Sequence, residues 1–76
     1  MKKKIVSFIS QCANAELHLE VVDLAREGRT KILEELEGYT IISEDAKSIK
    51  ACKAGKFEVL KAELTELMKK GWVWSD

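Results

Sequence analysis

Lys3-Lys4-Ile5-Val6-Ser7-Phe8-Ile9-Ser10-Gln11-Cys12 is the stretch on which the fold turns. Ile5, Ile9 and Cys12, with Phe8 beside them, fit one face of a helix. The same residues, rich in Ile, Val and Phe, also suit a short strand. Periodicity alone does not separate the two, so the neighbouring segments must.

The far end of the chain is the clearest. In Gly55-Lys56-Phe57-Glu58-Val59-Leu60-Lys61-Ala62-Glu63-Leu64-Thr65-Glu66-Leu67-Met68-Lys69-Lys70-Gly71, the residues Phe57, Leu60, Leu64, Leu67 and Gly71 form one helical stripe. Val59 and Met68 widen it on either side. Lys69 and Lys70 favour the last turn, where the helix dipole is negative, and Gly71 supplies a left-handed cap. Trp72-Val73-Trp74 then places two indoles on one face of an extended segment.

Between these ends, Asn14 reads as an N-cap, and Leu17, Val21, Leu24 and Ala25 make an apolar helical face up to Glu27. Residues 29–37 carry Ile32, Leu33 and Leu36 and stop at Gly38, a second cap signal. Tyr39-Thr40-Ile41-Ile42 is aromatic and β-branched, so extended. Ser43, Glu44 and Asp45 suit the start of another helix over about 44–54. An internal echo links Arg26–Leu33 with Lys53–Leu60: basic residue, Gly two positions on, a second basic residue, then a β-branched residue and Leu. Each of these units runs on to a Gly followed by an aromatic, Gly38-Tyr39 and Gly71-Trp72.

The expected fold is therefore mainly α, a single small domain over residues 1–76. Four to five short helices pack as helix–Gly–helix hairpins, with extended segments near 39–43 and 72–75. The alternative is an α+β fold in which residues 3–9, 39–43 and 72–75 form a small three-stranded sheet backed by helices. The absence of proline leans toward helix.

A 76-residue chain buries only about 60% of the surface its unfolded form exposes, so its core is marginal and association is a natural source of stability. Cys12 and Cys52 read as buried or half-buried thiols in a reducing compartment. His18, the single histidine, shares no ligand spacing with them, so no metal is expected. The N-terminal Lys2-Lys3-Lys4 and Ala13-Asn14-Ala15 imitate a secretory signal, but the apolar run between them is shorter than the roughly 7–15 residues such a signal needs. No stretch approaches the ~20 apolar residues of a membrane span. A cytoplasmic protein with no membrane role is expected.

Net charge is zero but segregated: +3 over residues 1–13, −6 over 14–45, +4 over 46–62 and −1 over the remainder. Such blocks steer charged partners or favour self-association into homo-oligomers. No nucleophile–base set, phosphate loop or H-E-x-x-H is present, so neither an enzyme nor a cofactor is expected. The residues expected to contact a partner are Trp72, Trp74 and Tyr39, because such aromatics bury a large area at low entropic cost. The expected function is a protein-interaction module, an adaptor or inhibitor of a larger protein, of the kind phages and mobile elements encode. The alternative is an oligomeric binder of nucleic acid or a phosphorylated ligand. It would use Lys47, Lys50, Lys53 and Lys56, which make a curved band on a helix.

Overall fold

Ala15, Leu17, Leu19 and Val21 alternate with Glu16, His18 and Glu20, and a strand is the conformation that buries the first set on one side. The computed structural model, which describes residues 1–75, places them in β2 (Asn14–Val22), where all four are buried. β1 (Lys2–Gln11) pairs antiparallel with β2 through a two-residue turn at Cys12-Ala13. After β2, a single 3₁₀ turn at Arg26–Gly28 leads into α1 (Arg29–Glu35). The hairpin of β3 (Thr40–Glu44) and β4 (Ile49–Lys56) follows, then α2 (Phe57–Lys69) and the two-residue β5 (Val73–Trp74). The five strands form one sheet in the order β3-β4-β2-β1-β5, antiparallel throughout except that β5 runs parallel to β1.

This overturns the expectation of a mainly α, helical-hairpin fold. Residues 14–22 and 49–54, both expected to be helical, lie in β2 and β4, two of the three inner strands of the sheet. In the first, the i, i+4 spacing of Leu17 and Val21 suits a helix as well as a strand. The full alternation from Ala15 to Val21 suits only the strand. In the second, Lys and Ala are weak strand formers. The segment is a strand because the hydrogen-bonding edge of β2 demands a partner, a tertiary effect no local pattern displays. The three-stranded alternative is corrected too: β4 and β2 stand between β3 and β1.

Helices α1 and α2 do coincide with the two segments that follow the internal echo. Ile32 of α1, Leu36 at its C-cap, and Leu64 and Leu67 of α2 share one core with Ile5, Leu17, Leu19, Val21, Ile49 and Ala51 of the sheet. Both helices therefore lie on the same face of the sheet. Val59 and Met68, expected to widen the buried stripe of α2, are exposed instead. Among the described residues, no helix covers the opposite face.

β1 contains a bulge. Ile5 pairs with Leu19 and Ser7 with His18, so Val6 is an extra residue. Two residues opposing one shift the alternation by a step. Ile5 faces the core before the bulge, and Phe8, in register with the buried Leu17, faces it after. The helical look of Ile5 and Phe8 at spacing three is the signature of this bulge.

Candidate functional site

The two aromatics that follow the helices are held in a reciprocal arrangement. Gly71 has φ 98° and closes α2 with a Schellman motif, in which the Trp72 N–H donates to the Leu67 carbonyl at 3.0 Å and the Gly71 N–H to that of Met68 at 3.2 Å. The turn drives Trp72 into the core, where it is 1% exposed. Its indole N–H donates to Glu35 Oε1 on α1 at 3.1 Å, and Lys3 Nζ reaches the same oxygen at 3.3 Å and the Lys70 carbonyl at 2.7 Å. Gly38, φ 89°, follows α1 in the left-handed region too, but there the Tyr39 N–H donates to the Leu36 carbonyl at 2.9 Å. Tyr39 O–H donates to Glu63 Oε2 on α2 at 3.1 Å, Lys53 Nζ donates to Glu63 Oε1 at 2.5 Å, and Lys53 lies 5.3 Å from the centre of the Tyr39 ring. The aromatic after each helix is thus tied to a glutamate of the other. Burial, and then the charge and hydrogen bond of Glu63, push the Tyr39 phenol well above its ordinary value.

Of the residues expected to meet a partner, Trp72 is therefore a core residue, and Tyr39 is half-buried in an internal polar cluster. Trp74 is 48% exposed. It registers with Ile5 across β1/β5, so it lies on the helix side at the edge of the sheet. The four lysines of the alternative reading form no single band. Lys47 sits in the β3–β4 turn, Lys53 is engaged with Tyr39 and Glu63 on the helix side, and Lys50 and Lys56 lie on the bare face.

The bare face is polar and mixed. One row runs Ser7, His18, Cys52, Thr40 across four strands; the next runs Lys4, Glu20, Lys50, Ser43. His18 Nε2 lies 2.5 Å from Glu16 Oε1, and Lys50 Nζ lies 3.9 Å from Glu20. Both thiols are free; Cys12, at the tip of the first hairpin, is exposed rather than buried.

Many exposed apolar side chains lie at the edges of the sheet, while Leu33, Val59 and Met68 are exposed on the helices. Val6, Ile9, Val73 and Trp74 lie along the β1/β5 edge, and Ile41 and Ile42 along β3. On α2, Phe57 meets Phe8 of β1 with ring centres 5.6 Å apart, which fixes one flank of that helix above β1. At 100° per residue, Lys61 and Met68 share that flank. Sequence reasoning passed over Val6 and Ile9 because a helical reading buries Ile9 and hides the bulge. The β-branched content of residues 5–9 was the available signal.

No protein-family model, curated protein or solved structure matches the chain. No described helix is long and apolar enough to cross a membrane.

Proposed function

We propose that this protein is a small interaction module that binds another protein, acting as an adaptor or inhibitor, and that it does so through the margins of its sheet. The observation that carries this reading is the placement of its exposed apolar residues. Val6, Ile9, Val73 and Trp74 crowd one edge and Ile41 and Ile42 the other, next to backbone with no strand beside it among the described residues. Free edges of this kind template pairing with another chain, and an exposed tryptophan is a frequent contact anchor. The nucleic-acid reading has weaker support. Lys4, Lys50 and Lys56 share the bare face, but Glu16 and Glu20 stand among them.

The test is capture by the immobilised protein, with crosslinking, from the cells that encode it. Wild type is compared with a Trp74→Ala, Ile9→Lys variant whose circular dichroism is unchanged. A protein captured by wild type and lost from the variant supports the reading. Capture that survives in the folded variant overturns the role of this edge. Copurifying nucleic acid released by salt overturns the protein-binding reading itself.

A further inference from the structure

Resting on that reading, we infer that the outer edge of β1 receives an extended acidic segment of the partner, which adds to the sheet as a further strand. β1 is ten residues long, but β5 covers it only at Lys4 and Ile5, with the Ser75 N–H closing the pair on the Ile5 carbonyl at 2.9 Å. From Ser7 to Gln11 the strand keeps regular register with β2 on one side and has no strand on the other among the described residues. This is a preformed template for main-chain hydrogen bonds, and alternate side chains of an added strand would meet different surfaces on its two faces.

Those two surfaces are both on the molecule. On the helix side, Trp74, Met68 and the Phe8–Phe57 pair border the edge; on the bare side, Ile9 and Val73 do. An alternating apolar segment fits them. The charge selects its sign. Lys2, Lys4 and Lys61 flank this edge and form no ion pair among the described residues. Glu16, opposite Ile9, is engaged by His18. The other edge is not basic in the same way: Glu44 ends β3, paired with Arg29 at 2.8 Å, and Asp45 follows it.

The experiment is selection from a displayed library of random peptides of about ten residues, the length of a long strand. Selected peptides are then titrated by fluorescence anisotropy, and their contacts mapped by amide shifts on the labelled protein. The inference expects enrichment of Asp and Glu alternating with Val, Ile or aromatic residues, and shifts and slowed exchange at Ser7–Gln11. A Lys4→Glu, Lys61→Glu variant should bind at least about tenfold more weakly, while Ile42→Lys on the opposite edge leaves affinity unchanged. Basic or neutral peptides, no enrichment, or shifts at β3 or the bare face overturn it. So does displacement of the peptide by oligothymidylate or by a second copy of the chain at equal concentration. Peptides that bind elsewhere defeat this inference and leave the interaction reading standing; failure of lysate capture defeats that reading.

Discussion

Trp72 and Trp74 are two positions apart and carry opposite consequences. Trp72 fills the core at 1% exposure and donates to Glu35, so truncation leaves both a large cavity and an underused carboxylate. Trp72→Ala is expected to cost about 3–5 kcal/mol, close to the whole stability of a domain this size, and to unfold it. Trp74→Ala should change stability by no more than about 0.5 kcal/mol. Urea melts followed by far-ultraviolet dichroism check both, and a folded Trp72→Ala variant would refute the packing assigned to that side chain. Tyr39 gives a pH-dependent counterpart. Its phenol is raised in the folded state by burial first, then by Glu63. Below about pH 10, the ordinary phenol value, both states keep the proton and the contribution is complete. Above it the unfolded chain ionises first, so stability is lost as pH rises toward the folded value. The stability of wild type relative to Tyr39→Phe, from urea midpoints, should therefore be constant up to about pH 10 and fall as pH rises above it; a difference independent of pH would refute the coupling.

At the scale of elements, the bulge in β1 explains both a misreading and a prediction. With Val6 present, Ile5 and Phe8 both face the core although three positions apart. Without it, Lys3, Ile5 and Phe8 would fall into plain alternation. Deleting Val6 should therefore preserve the fold at a cost of about 1–2 kcal/mol, from lost twist and changed edge geometry. Deleting Glu20 from β2 should abolish folding, because β2 is paired on both sides and a one-residue slip turns Leu19 and Leu17 to the bare face. Thermal melts of the two deletions separate these outcomes, and loss of the fold on deleting Val6 would refute the bulge. The same residues mark what was legible. α1 and α2 were readable because their stripes, their Gly caps and the following aromatics agree at several levels. The left-handed geometry of Gly38 and Gly71 was written in their positions. β1 was obscured by its bulge. β4 was obscured because Lys50, Lys53 and Lys56 resemble a helical surface as long as β2 is unseen. Trp72, Trp74 and Tyr39 were read alike as contact residues, and of the three only Trp74 is exposed; the exposure of Ile9 follows only from the strand reading.

For the whole molecule, the chain closes on itself through its weakest pairings. β5 joins β1 at Lys4 and Ile5, bringing together residues nearly the full length of the sequence apart. β3, at the other margin, has every residue exposed. Between them β2 is paired along its length on both sides and contributes Leu17, Leu19 and Val21 to the core. Local opening free energies follow burial and pairing, from near zero at frayed margins to the global value at the centre. The amides of β2 should therefore exchange slowest, at the rate set by global unfolding. Those of β3 should exchange at least about a hundredfold faster, which corresponds to an opening some 3 kcal/mol easier. β5, though short, is anchored through Trp72, and its Ser75 amide, bonded to Ile5, should fall between the two. Native-state hydrogen exchange resolved by residue measures this order directly. Protection of β3 equal to that of β2 would mean that its edge is covered in solution, and the free margin would have to be sought along β1 alone. The predicted gradient instead leaves both margins able to rearrange around a partner while the β2–β4 centre and its helices stay fixed. Contacts made at those margins leave the core of the domain intact.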